Sequence, residues 1–186
     1  MSFRAFISID IDANPRIVEF FERLKRLGPS FKVVDPDLIH LTLKFLGETD
    51  EGLVPKIRCA MERSVAGIGP MLLKLKKAGA FPRDHNMRVI WIGIEGGEGI
   101  GLIAGNLDDE LSDLGFKKEN RSFVPHITIT RVREGASVGE ARELLRMYDD
   151  VFFGEQLVDT IRLKKSILGP KGPTYSTVEE LKLRPP

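Results

Sequence analysis

Apolar and polar residues alternate along "RAFISIDI" (residues 4–11), a period of two that predicts a strand. The period then changes. In "NPRIVEFFERLKRLG" the apolar residues Ile17, Phe20, Phe21, Leu24 and Leu27 keep helical spacing, with Asn14 placed to cap, Pro15 at the first helical position and Gly28 as the stop. A strand through "HLTLKFL" follows, then a helix over "VPKIRCAMERSVAGI". Two strand-like runs, "MLLKLKKAGAF" and "MRVIWIGIE", are joined by the turn-rich "PRDHN". "LIAGNLDDELSDLGF" predicts a third helix, with Ile103, Leu107, Leu111 and Leu114 on one face. "HITITRV" is again strand-like, and "SVGEARELLRMY" predicts a helix opened by a Ser137/Glu140 capping box. The tail "EQLVDTIRLKKSILGPKGPTYSTVEELKL" predicts two strands around a Gly/Pro turn. Strand pairs separated by short turns suit antiparallel pairing better than serial parallel crossovers, so the predicted class is α+β.

One arrangement occurs twice. "HLTLKFLGE" begins at His40 and "HITITRVRE" at His126, 86 residues later, with His, Thr and the closing Glu in matching places. Each copy follows a helix-containing segment, which points to a weak internal duplication and to two similar lobes. Strand side chains alternate faces, so His40 and Thr42 point one way while Leu41 and Leu43 point the other; His126 and Thr128 against Ile127 and Ile129 repeat this. If the lobes face one another, two imidazoles and two hydroxyls converge. Imidazole, with a reference pKa of about 6.5, holds or lacks a proton near neutrality, so a pair supplies one base and one acid. Threonine hydroxyls donate to anionic oxygens. The set suits a phosphodiester: one imidazole deprotonates the attacking oxygen, the other protonates the leaving oxygen, and the hydroxyls hold the non-bridging oxygens. A lone His-x-Thr is more often a satisfied pair on an ordinary strand. Two copies in matching contexts, using two of the three histidines, shift the balance toward a site.

Composition narrows the setting. At 186 residues the chain can bury a substantial core as one domain spanning 1–186, and 42% hydrophobic with 30% charged is ordinary for a globular protein. Lys and Arg total 28 against 27 acids, so a polyanion would have to be met by a local patch. The single Cys59 can form neither an internal disulfide nor a thiolate cluster, which favours a reducing compartment, with cytoplasm as the default. The N-terminal "MSFRAFISIDIDANP" turns polar too soon for a signal peptide, and no run of 18 apolar residues suggests a membrane partner.

The chain resembles the 2H phosphoesterases, named for paired His-x-Thr-x motifs, and within them the RNA 2′,3′-cyclic phosphodiesterases once called 2′-5′ RNA ligases. Beyond "HLTL" and "HITI" the resemblance includes "FRAFISIDI", "FLGE", "AGAFPR", "FVPHITITR" and "SILGPKGPTY", in order along almost the whole chain. One departure is Thr130 in "TITR", where the subfamily often has a small apolar residue. The resemblance implies a bilobal α+β fold, one motif per lobe around a central groove, with neither metal nor cofactor. It implies opening of 2′,3′-cyclic phosphates, on RNA ends or nucleosides, to 2′-phosphates, and in some members 2′-5′ joining of RNA. By the same resemblance His40 is the acid for the departing 3′ oxygen, His126 the base that activates water, and Thr42 and Thr128 hold the phosphate. Arg131 matches a family arginine just after the second motif, where a guanidinium could bind phosphate or the RNA backbone, yet five residues from His126 it falls on the opposite strand face unless a bulge re-aims it. Phe45, at the matching place after the first motif, is a base-stacking candidate or a core residue. A monomer is expected. The rival from another class is a non-catalytic RNA- or nucleotide-binding module using the same groove.

Other signals carry less. "GIGLIA" (residues 99–104) has the form of a dinucleotide-binding turn, but the acidic residue ending a second strand is missing, so its glycines are expected to form a flexible connection. His85 in "FPRDHNMR" fits an exposed turn, and the lysine of "GPKGPTY" a turn near the groove. Lys74, Lys76, Lys77, Arg83 and Arg88 could edge an RNA path or simply face solvent.

Overall fold

The computed structural model describes residues 1–83, 86–170 and 172–185; His85 and Lys171 lie outside them. In chain order the elements are β1 (Ser2–Asp10), α1 (Pro15–Lys25), β2 (Phe31–Val33), β3 (His40–Asp50), α2 (Val54–Ser64), β4 (Met71–Phe81) and β5 (Val89–Glu95). There follow α3 (Glu98–Ser112), β6 (His126–Val132), α4 (Gly139–Met147), β7 (Phe152–Val158), β8 (Thr160–Gly169) and β9 (Gly172–Lys182). The strands run in the order β7-β4-β5-β6-β3-β1-β8-β9, with β2 added on β6, and every pairing is antiparallel. The fold is α+β. Its two lobes, β7-β4-β5-β6 and β3-β1-β8-β9, meet at one paired position, Leu41 opposite Ile127.

The helices cross between lobes. α1 follows β1 yet packs beside β2 and β7 of the other lobe. Asn14 explains part of this: its side-chain oxygen caps the helix by accepting from Arg16 and Ile17 N–H, while its amide donates to the Phe153 carbonyl at 2.9 Å. Ile17, Phe20, Phe21 and Leu24 on the inward face are fully buried, each contributing about 1.5–3 kcal/mol by removal from water. Phe20 packs on Tyr148 and Phe153 with ring centroids 4.5 and 5.5 Å away. Conversely α3 follows β5 but lies against α2 and β3. Each lobe is therefore closed by a helix that enters from the other.

Some predicted elements shift. Gly99 and Gly101 lie inside α3, which starts at Glu98, because Ile100, Ile103 and Leu107 form its buried stripe; the flexible connection expected there is the helix's first turn. The Ser137/Glu140 box does not form, since α4 begins at Gly139 with Val138 as its N-cap and no side-chain capping bond. The tail holds three strands rather than two, β7 having been merged with its successor at Asp159. Among the described residues no helix is long and apolar enough to cross a membrane.

Candidate active site

The contact between lobes assembles the site. Leu41 and Ile127, paired across the seam, are both fully buried on the core side. Carrying this antiparallel register one residue either way sets His40 opposite Thr128 and Thr42 opposite His126, all four on the reverse face. Two imidazoles thus lie on a diagonal, where side-chain bases in a sheet are roughly 7–8 Å apart, and two hydroxyls occupy the other diagonal. Neither threonine hydroxyl bonds another group among the described residues.

Both histidines are held in the same way. His40 Nδ1 lies 2.8 Å from the Leu38 carbonyl and His126 Nδ1 lies 2.7 Å from the Val124 carbonyl, in each case two residues back. A carbonyl only accepts, so Nδ1 carries the proton and donates it, leaving Nε2 as the nitrogen free to exchange a proton. Aromatic rings fix each imidazole laterally. His40 is flanked by Phe6 and Tyr175, centroids 5.0 and 5.3 Å away, and His126 meets the edge of Phe81 at 5.2 Å. Phe81 leans on Trp91 at 5.1 Å, whose indole fills the space above Gly79, where a Cβ would overlap the ring. Glycine is required at that point.

Burial lowers the His40 pKa below its ordinary value, and the nearby charges of Lys164 and Arg131 push the same way, against the Leu38 hydrogen bond and Asp10. Asp10 is opposite His40 in the sheet and is neutralised by Lys164 at 2.5 Å and Arg162 at 3.3 Å. The free face therefore favours neutral His40 and presents an excess of positive charge, which suits an anion.

Arg131 and Phe45 reach this face through paired bulges. In β6, Ile90 pairs with Thr130 but Trp91 pairs with Thr128, so Ile129 is an extra residue; in β3, Ile7 pairs with Lys44 but Ser8 with Thr42, so Leu43 is extra. Each bulge lies three residues after its histidine and reverses the alternation beyond it. Arg131 is consequently exposed, with its charge felt at both His40 and Tyr175. Phe45 is 58% exposed, which excludes a core role. The duplication extends to the bulge.

Sequence inspection missed Tyr175, Phe6, Phe81 and Lys164. Three of them fall within the family-like segments "FRAFISIDI", "AGAFPR" and "SILGPKGPTY", and strand parity is the one signal for Lys164. Lys76 and Arg88, candidates for an RNA path, are ion-paired with Asp150 at 2.9 Å and Glu134 at 3.0 Å. Among the described residues no three His, Cys, Asp or Glu side chains gather as a metal would need. A surface cavity of about 560 Å³ between α1 and α4 shares no residue with the histidine face.

Comparison with known proteins agrees with this geometry. The profile of the LigT like Phosphoesterase family matches twice, over residues 8–91 and 92–175. The RNA 2′,3′-cyclic phosphodiesterase of Methanocaldococcus jannaschii is 39% identical over 179 residues, covering 95% of this chain and 99% of that protein. That of Methanothermobacter thermautotrophicus is 33% identical over 98% of this chain and all of its own length. The crystal structure of TT0787 of Thermus thermophilus superimposes with a TM-score of 0.82 at 29% identity, covering 98% of each chain. The chain belongs to the LigT-like phosphoesterase family.

Proposed function

We propose that this chain hydrolyses RNA 2′,3′-cyclic phosphate ends to 2′-phosphomonoesters by acid–base catalysis from two imidazoles. The observation that carries the proposal is the Leu41–Ile127 pair, which brings both His/Thr sets to one face with each Nδ1 already committed. Relatives of this length and identity named RNA 2′,3′-cyclic phosphodiesterase support it.

The cyclic phosphate lies between the imidazoles, its non-bridging oxygens accepting from Thr42, Thr128 and the Arg131 guanidinium. His126 Nε2 takes a proton from water as the water oxygen attacks phosphorus in line with the 3′ oxygen. As the P–O3′ bond breaks, His40 Nε2–H gives its proton to the departing 3′ oxygen. The product keeps phosphate on the 2′ oxygen, and the two imidazoles recover their starting states by proton exchange with solvent. His40 has a lowered pKa in the empty site, so the anion itself supplies the condition for protonation: its charge offsets the burial that disfavours imidazolium. Substrate therefore loads its own acid. An RNA 5′-hydroxyl in place of water would give a 2′-5′ diester by the same transfers.

The exposed, unpaired Cys59 fits a reducing compartment, in keeping with a cytoplasmic enzyme acting as a monomer. The test is to incubate the purified protein with a nucleoside 2′,3′-cyclic phosphate in EDTA and identify the monoester by phosphorus NMR. Steady release of the 2′-phosphate is expected. Binding without turnover would make the chain a nucleotide-binding module, and activity lost in EDTA and restored by zinc or manganese would make the histidines ligands.

A further inference from the structure

Beside the bulge that turns Phe45 outward, Lys44 enters the interior. Its side chain is 1% exposed, and its ammonium donates to Asp108 Oδ1 at 2.5 Å and to the Lys117 carbonyl at 2.7 Å. A buried ammonium is tolerable only with such partners. Asp108 also accepts the Glu119 backbone N–H, at 3.0 and 3.3 Å. Lys44 from β3 and Asp108 from α3 thus tie the loop after α3 against the first motif.

The tied loop and Phe45 enclose a cleft of about 370 Å³, lined by Phe45, Leu46, Lys117, Asn120 and Arg121 among others. Its charges are unequally committed. Lys118 pairs with Asp109 at 2.6 Å and the Glu119 carboxylate reaches back toward Lys44 at 3.8 Å, whereas Lys117 and Arg121 make no ion pair among the described residues. The cleft lies beside the histidine face: the Phe45 ring is 6.4 Å from the buried Phe6, which is 5.0 Å from His40. The second copy of the motif has no counterpart. Where Lys44 stands, it has Thr130, buried with no hydrogen-bond partner and therefore unable to tie a loop. An otherwise two-fold site has one extended side.

We propose that this cleft binds the nucleotide preceding the one that carries the cyclic phosphate, its base stacked on Phe45 and its phosphate met by Lys117 and Arg121. Lys44 and Asp108 act as positioning residues for the loop. The proposal rests on the hydrolytic activity proposed above and adds to it that polymer ends are preferred to mononucleotides. An exposed aromatic ring next to uncommitted cations is the combination that holds single-stranded nucleic acid.

The test compares kcat/KM on a nucleoside 2′,3′-cyclic phosphate with kcat/KM on a short oligoribonucleotide ending in the same group, over a salt series. The unaltered protein should prefer the oligonucleotide by roughly 5- to 140-fold, the range one stacked base supplies. In Lys117→Glu/Arg121→Glu the ratio should fall, with the part that Phe45 stacking supplies remaining, and the salt slope on the oligonucleotide should lessen by about 0.7 for each phosphate no longer neutralised. The mononucleotide rate of the same variant reports whether fold and catalysis survive. Equal rates on both substrates in the unaltered protein, or a variant that keeps the preference and the slope, would overturn the cleft. If neither substrate turns over, the hydrolytic activity is what fails. Titration with a 2′-phosphate-ended oligonucleotide against the 2′-mononucleotide then decides the cleft, equal affinities refuting it.

Discussion

Replacing Lys44 with Met tests whether the tie between β3 and the loop after α3 contributes to stability as its geometry requires. Methionine keeps most of the side chain's length and removes the charge, so the loss is electrostatic rather than steric. Breaking a buried ion pair by removing one partner costs about 3–5 kcal/mol, because the remaining charge is left uncompensated. Here Asp108 is 19% exposed and keeps the Glu119 N–H, so water and that bond offset part of the loss. A cost of about 2–4 kcal/mol follows, and at about 2–4 °C per kcal/mol for a chain of this size Tm should drop by roughly 4–16 °C. Urea denaturation should show a lower midpoint at unchanged slope. Adding Asp108→Asn should recover part of the loss, so that the double variant is more stable than the sum of the singles. The pH dependence follows from the Asp108 carboxyl: burial pushes its pKa up, but the Lys44 and Glu119 hydrogen bonds outweigh this and hold it below the ordinary value. That stabilisation is complete above the unfolded pKa of about 3.9 and is lost as pH falls through the lower folded value, so Lys44→Met should weaken the acid dependence. An unchanged or raised urea midpoint in Lys44→Met would refute the tie.

His40→Ala and His126→Ala should each lower turnover on the order of 10²–10⁴, and single Thr42→Ala or Thr128→Ala should lose about 1.5–3 kcal/mol of transition-state stabilisation; folded histidine variants with near-full activity would end the proposal. Because His40 in its proposed role as acid has to be charged and its pKa is lowered in the free protein, kcat/KM should fall as pH rises through that lowered value. With the anion bound its pKa rises, so the basic limb of kcat should lie at higher pH; superimposable limbs in the two profiles would contradict substrate-loaded protonation. Thr130→Val removes a buried, unpartnered hydroxyl and should stabilise the protein by about 1 kcal/mol in the same denaturation assay, where a lower midpoint would show that the hydroxyl is satisfied.

Much of the site is legible from strand parity. The histidines and threonines stand on the face that alternation assigns, because Leu41 and Ile127 need the core more than any neighbour does. Parity fails beyond Leu43 and Ile129, where one unpaired residue in each strand reverses the count and brings Phe45 and Arg131 to the site. A bulge is set by the partner strand's register, which no local pattern records. Lys44 is similar: a lysine in a strand suggests solvent, and its partners Asp108 and the Lys117 carbonyl, 64 and 73 residues away, make burial possible. At the helix starts the competing term is burial. Ile100 draws the chain into α3 earlier than its glycines suggest, while Ser137 is left outside α4 despite its capping sequence.

The crossing of α1 and α3 between the lobes bears on ancestry. The two profile-matched halves meet between Trp91 and Ile92, inside β5, and each contributes elements to both lobes. Residues 8–91 alone would carry β3 without α3 against it, and α1 without the β7 surface that buries Phe20. Half a chain closes no core, but two copies of such a half, each lending its first helix to the other, would close two. They would also place two identical His/Thr sets on a common axis. A gene encoding one motif could thus have supplied a complete acid–base site only as a helix-exchanging dimer. Fusion of two such copies would then free them to differ, as Lys44 and Phe45 of the first motif differ from Thr130 and Arg131 of the second.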